Sequence, residues 1–585
     1  VGENMSSVPR NLPATRVATR KRLGGPGVSP VTVRWPALAR GPATERESYV
    51  RRRTHVAPLL TAALLLMAAC GGGGGGGAAG PAAPAGPPQR GGEVTVLENA
   101  SFAGGWPTGL DPATNTTGGA NIAQMSAIYG GLFRLQAADD GTGAEVVPHQ
   151  AESYELLDGG TTVRITIREG LRFTDGTPFD AEAVAFNFRR AVDSPCTCSP
   201  TWPLAENGIT TDGPRTVVLT FTRPFAAVIN AFPATNVNWI ASPTALEQMG
   251  EDQFALEPVG AGPFTVVSNQ LSSELVLERN PEYFKEGLPY LDRLTFQSIG
   301  GDQPAYQALL AGQAQAYEGL NTTPLLEQAQ EGGRISVTVQ PPTSPYVVQL
   351  NTGRAPFDDQ RAREAIYHAT DFGAIAQGLF RGRYPVSQSF TGPGGLFHQE
   401  TVEGYPAHDP ARAQALVTEL GGLTVTLGTL KGYVAEQVMT ALQTQWQEAG
   451  ITVQIESYEL STLIGEFNSG EWDSMLQTAG AWDPAAGVGV GFRFSSDSPF
   501  TGVKDPQLDT LLDTAEATLD PAERERLYDE AGRYISDHAY APFGLAFAPA
   551  NLATEGVYGP GLTTKIPPIV VNTGVLWDEV WRAPQ

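Results

Sequence analysis

The chain's thiols and imidazoles are few: three cysteines and six histidines in 585 residues. The histidines are scattered, with no pair at metal-ligand spacing. Cys196 and Cys198 bracket one threonine in SPCTCSPTWP. A disulfide two residues apart is strained, and a metal site there needs further Cys or His ligands. The pair therefore reads as a loop feature, with or without a local bridge. No G-x-S-x-G nucleophile elbow and no H-E-x-x-H helix occurs. The abundant Asp and Glu supply carboxylates for glycoside hydrolysis in principle, but no spacing singles out a pair. Cys70 differs from the other two. It follows Arg51–Arg53 and the apolar run Val56–Ala69, which closes in Leu-Met-Ala-Ala-Cys. A basic start, a short apolar stretch and small residues before a cleavage point make an export signal. The run is too short to span a bilayer core, which takes about 20 apolar residues.

The Cys70 context resembles a bacterial lipobox, with Met67 where leucine is usual. That resemblance implies lipidation of the Cys70 sulfur and a mature chain beginning at Cys70. An ordinary secretory signal with an incidental cysteine is the alternative. Residues 1–49 are Arg- and Pro-rich without hydrophobic period, and Val50 sits where a GTG codon would start translation. We expect 1–49 to be a misassigned start, 50–69 the signal peptide and 70–92 a tether. Gly71–Gly77 and the following AAGPAAPAGPPQRGG have little to bury and suit a leash. A phosphate-cradling loop would need a preceding strand and a following Lys-Ser/Thr helix, and neither is present.

Beyond residue 69 there are 516 residues, more than one core accommodates. Residues 1–69 hold 11 of the 38 Lys and Arg but 3 of the 62 Asp and Glu, so the remainder carries a net −32. Such a surface repels nucleic acid. Outside the signal no apolar stretch is long enough to cross a membrane.

The elements that must position any site mix short strands and helices, which predicts an α/β fold. Val163, Ile165 and Ile167 alternate as a half-buried strand. Asp175-Gly176 marks a hairpin-type turn, and Asp180 is placed to cap a helix with Glu182 in its first turn. Val434, Val438, Leu442 and Trp446 recur every four residues between the strands Thr424–Leu427 and Ile451–Ile455, a βαβ unit. Asp520-Pro521-Ala522-Glu523 reads as a helix start in which Glu523 returns the cap.

Six segments in order resemble one family. VRITIREGLRFTDGTPFDAEAVAFNF, EPVGAGPFTVVS with LERNPEYFKEGLPYLDRLTF, LNTGRAPFDDQRAREAIYHATD, GYPAHDPARAQALV, ALQTQWQEAGITVQIESYE and the Asp505–Phe543 stretch are similar to the extracellular solute-binding proteins of the peptide/nickel class, family 5 of ABC transporters. The resemblance covers about residues 92–582. It implies a two-lobed periplasmic-binding-protein-like fold, of class II and the large cluster-C type, with the ligand cleft between lobes. Lobe I would be 92–340 and 545–585, and lobe II 345–540, with proline-stiffened crossings between them.

Peptide-binding members carry a G-W-x-x-D-x-x-D-P stretch after a strand of the second lobe. Here it contracts to Ala481-Trp482-Asp483-Pro484. The resemblance makes Trp482 a pocket wall or a core residue, and Asp483 an anchor for a peptide amine or a backbone cap. Asn115, Thr116 and Thr117 match a cleft-facing position or form an unremarkable turn. Arg493 either receives a ligand carboxylate or forms an ordinary salt bridge. The implied function is capture of an oligopeptide or similar small solute for a membrane permease, by a lipid-anchored, exported monomer with no cofactor and no catalytic residues. The alternatives are a ligand-binding sensor or adhesion lipoprotein of the same fold and, with less support, a secreted hydrolase.

Overall fold

A computed structural model of the chain describes residues 86–99, 109–115, 121–138, 143–194, 202–478, 480, 482–486, 489–498, 500–569 and 574–584. Cys70, the signal, Cys196, Cys198, Thr116 and Thr117 lie outside the described residues. Strand β1 (Glu93–Asn99) precedes a hairpin of β2 (Phe133–Ala137) and β3 (Ala144–Pro148). Next come β4 (Ala151–Leu157), β5 (Thr162–Ile167), β6 (Leu204–Thr211) and β7 (Thr216–Phe221), a four-stranded antiparallel sheet. They are followed by β8 (Phe264–Gln270), β9 (Glu274–Arg279), β10 (Arg293–Ile299), β11 (Ala316–Leu320) and β12 (Ile335–Val339). The chain then crosses to β13 (Ser344–Leu350), β14 (Thr424–Leu430), β15 (Thr452–Tyr458), β16 (Ser474–Thr478) and β17 (Phe543–Phe547), and returns through β18 (Ala550–Thr554).

Two large sheets result. The first runs β12-β18-β11-β1-β10-β9-β8 and the second β15-β14-β16-β13-β17. The chain passes between them twice, at Gln340–Thr343 and at Ala548-Pro549. We call what is built on each sheet the first and the second lobe.

Both sheets are covered on both faces, as α/β architecture requires. In β1, Val94 and Val96 join one core while Leu97 joins another with the helices Asp302–Leu310 and Thr323–Gly332. In β13, Tyr346, Val348 and Leu350 face the Tyr433–Glu448 helix, while Val347 faces Val490 and Phe494. That is why all seven β13 residues are buried. Val163, Ile165 and Ile167 are each fully buried on β5, as their alternation predicts.

The local signals also operate as read. Asp180 accepts from Ala183 N at 3.0 Å and starts the Ala181–Asp193 helix. Val434, Val438, Leu442 and Trp446 line the buried face of the helix joining the parallel strands β14 and β15, and Gly450, at φ +82°, lies just beyond its end. One expectation is corrected. Asp520 accepts from Glu523 N at 2.8 Å, but the Glu523 carboxylate does not return the cap. Arg526, one turn on, takes both its oxygens at 2.8 and 2.9 Å, because a forked charge-assisted pair outcompetes a single backbone N–H.

Candidate solute-binding site

Beyond β16 the chain runs into the seam between the lobes. Ser344 Oγ, at the first crossing, donates to Gly480 O at 2.5 Å. Trp482 N then donates to Ile569 O at 2.9 Å, and Leu396 N donates to Trp482 O at 2.8 Å. These bonds seat the Trp482 ring, 5% exposed, among apolar residues of the first lobe. Trp482 and Asp483 face Leu135, Asn230 and Pro233 across a narrow interlobe hollow that has no room for a water molecule. A larger hollow of about 40 Å³, partly open to solvent, lies in the first lobe beside His149, Trp239 and Trp577. The two share Leu135, Pro233 and Ile569 as walls.

Asp483 is fully buried and fully engaged. Oδ1 accepts from Arg524 Nη2 at 2.7 Å and from Ala485 N at 2.9 Å, and Oδ2 accepts from Asn230 Nδ2 at 2.8 Å. Arg524 is also buried, with its guanidinium over the rings of Phe397 and Tyr528 at 5.0 and 5.6 Å. Burial alone would lower the Arg524 pKa, but the Asp483 carboxylate and Tyr528 turn the net shift upward. Asp483 is thus a backbone cap and the counter-charge of Arg524, and through Asn230 a link to the other lobe.

A second link lies nearby. Arg223 Nη2, just after β7, reaches Glu516 at 2.8 Å and Asp513 at 3.1 Å on the Pro506–Ala517 helix, and Ala226 N donates to Glu516 O at 2.8 Å. Burial raises the Glu516 pKa and Arg223 opposes the rise. At another point of the seam Tyr384 OH donates to Asn321 O at 3.2 Å.

The other predicted residues lie apart from these hollows. Asn115 is buried within the first lobe. Its Nδ2 meets Met125 Sδ at 3.7 Å and its carbonyl accepts from Asn236 Nδ2 at 3.0 Å. Arg493 sits on the short Val490–Phe494 helix with its guanidinium 5.7 Å from the centre of the Phe500 ring. Asn230, Arg223, Glu516 and Arg524 were not singled out from sequence. Arg524 did carry a signal: it shares a helical face with Leu527, Tyr528 and Ala531, and an arginine on an apolar face requires a buried counter-charge.

The model of the bacterial extracellular solute-binding proteins, family 5, middle region, matches residues 145–500. The chain belongs to this family. It is a family of solute-binding proteins rather than enzymes. The glutathione-binding protein GsiB of Shigella flexneri is 30% identical over 467 residues, covering 75% of this chain and 86% of the relative. GsiB of Escherichia coli (strain K12) matches to the same extent, at 30% over 467 residues. Among solved structures, DppA from Helicobacter pylori in complex with the peptide STSA superposes with a TM-score of 0.72 at 20% identity, covering 85% of this chain and 99% of that one. The oligopeptide-binding protein AppA from Bacillus subtilis, in complex with a nonapeptide, gives 0.69 at 20% identity over 85% and 100%. The fold is therefore the two-lobed family 5 type.

Proposed function

We propose that this protein captures a short peptide or similar small solute between its lobes and delivers it to an ABC permease in the same membrane. The observation that carries the reading is the family match, and the interlobe seam at Trp482, where apolar side chains of both lobes meet, supports it. Glutathione is itself a tripeptide, so small peptides lead among the candidate solutes. Trp482 serves as a wall of the pocket. Asp483 acts through Arg524 and Asn230, organising the seam rather than pairing with a free amine. Lobe I comprises 92–340 and 550–585 and lobe II 344–547, since β17 belongs to the second sheet and moves the return boundary past residue 545, with closure about the two crossings. Cys70 anchors a monomer by lipid to the outer face of the membrane, and residues 70–92 form the leash that raises its concentration near the permease.

Native mass spectrometry and thermal melting of the purified protein with glutathione, dipeptides and longer peptides test the reading. Saturable stabilisation by at least one of these classes is expected. Absence of stabilisation by every class would refute peptide capture.

A further inference from the structure

Away from Trp482, the lobes meet through a contact whose charges do not balance. Arg223 Nη2, from the first lobe, holds Glu516 Oε2 at 2.8 Å and Asp513 Oδ1 at 3.1 Å. Two carboxylates one helical turn apart thus share a single guanidinium nitrogen. Arg524, on the next helix, is committed to Asp483 at 2.7 Å. Across the whole contact three carboxylates face two guanidinia. Arg381 with Glu327, which also spans the lobes, is a one-to-one pair with an exposed arginine, so closure changes its surroundings little.

The two carboxylates on Arg223 are not equivalent. The Asp513 side chain is 62% exposed, so water solvates it, whereas that of Glu516 is 18% exposed. Contact with the first lobe is what encloses Glu516. Ala226 N donates to Glu516 O at 2.8 Å, and Leu519 packs against the first-lobe core that holds Phe221 and Phe225. Glu516 Oε1 lies against Gly491, where a Cβ would stand 2.6 Å from it, and it receives no hydrogen bond among the described residues. The Gly491 helix carries Arg493, which forms no ion pair with Glu516. The Pro521–Asp537 helix faces Glu516 with Arg524 and Tyr528.

Burial holds the Glu516 carboxyl above its ordinary 4.5 although Arg223 opposes the rise; Asp513 adds to it and Arg524 lessens it. Parting the lobes would return this carboxyl to water and towards its ordinary value. The closed state therefore holds the proton more tightly than the open state. By linkage, the state with the raised pKa gains as pH falls, so acidification favours closure. The sign is opposite to that of a simple ion-pair latch, which acid would release.

We propose that closure of the lobes takes up a proton at the Glu516 carboxylate, making the Arg223–Glu516 contact a pH-sensitive clamp. The proposal rests on the reading that the lobes open and close, and it does not depend on which solute is captured.

Solution scattering of the intact, ligand-free protein between pH 8 and pH 5 tests it, with Glu516→Gln and Asp513→Asn beside the wild type. The wild type should become more compact as pH falls, its closed-to-open ratio rising by at most about tenfold per pH unit, the slope of one proton. Glu516→Gln, neutral at every pH, should be compact throughout. Asp513→Asn should keep the response but shift its midpoint to lower pH, because one carboxylate fewer shares Arg223. A wild type that expands or stays unchanged on acidification overturns the proposal, as does a response that survives in Glu516→Gln. If Glu516→Gln does not fold, Asp513→Asn decides: an unmoved midpoint overturns the proposal. Acid-induced compaction without stabilisation by any peptide leaves the clamp standing while peptide capture falls. Peptide binding with pH-independent scattering does the reverse.

Discussion

At the scale of single residues, burial decides chemistry more than residue type does. His149 is enclosed in the first lobe, with Nδ1 donating to Gly131 O at 3.1 Å and Nε2 facing the Tyr283 hydroxyl at 3.0 Å. Burial, with Lys285 and Arg134 adding to it and Asp578 opposing, lowers its pKa from 6.5 to about 3. The unfolded chain therefore takes up a proton on His149 below about pH 6.5 while the folded chain resists until about pH 3. Within that window stability falls with falling pH, by up to about 1.4 kcal/mol per pH unit. Glu98 acts in the opposite sense. Burial raises its pKa from 4.5 to about 7, so the folded state binds the proton first and gains stability as pH falls between those values. Melting curves of the wild type and His149→Gln between pH 7 and pH 4 should separate the two. The variant should lose less stability on acidification, and identical slopes would contradict a neutral buried His149. None of this is visible in the sequence, where His149 is one of six scattered imidazoles.

At the scale of elements, the sequence was far more readable. The β5 alternation, the Asp180 and Asp520 caps and the four-residue period from Val434 to Trp446 are short-range patterns, and the elements form where they indicate. The Glu523 reading failed because i to i+3 pairing with Arg526 competes for the same carboxylate within one turn. What joins elements is less local. The Asp483–Arg524 pair ties the loop after β16 to the Pro521–Asp537 helix, with both side chains buried. Removing one partner strands a buried charge, so Asp483→Ala should cost about 3–5 kcal/mol. Replacing both by apolar residues of similar volume should cost much less. Chemical denaturation of the two single variants and the double variant checks this, and additive losses would deny the coupling.

For the whole molecule, the links across the seam define a closed arrangement. Arg223 to Glu516 and Asp513, together with Asn230 to Asp483, span the two lobes on one side of the hollow. Ligand affinity scales with the fraction of molecules already in the competent state. Arg223→Ala should open the ligand-free protein, seen as a larger radius of gyration in solution scattering, and should weaken solute binding without altering the pocket walls. Unchanged scattering would show that these links do not hold the lobes together. By itself the sequence determined the strands and helices with their Asp180 and Asp520 caps, and the family, because each is written in periodicity or in motifs a few residues long. Only the tertiary structure decided that Asp483 belongs to Arg524 and Asn230, 41 and 253 residues away along the chain, and that Arg493 has no carboxylate partner among the described residues. Pairing of buried charges depends on which side chains the packed sheets and helices bring within about 3 Å of each other, and no local pattern encodes that distance.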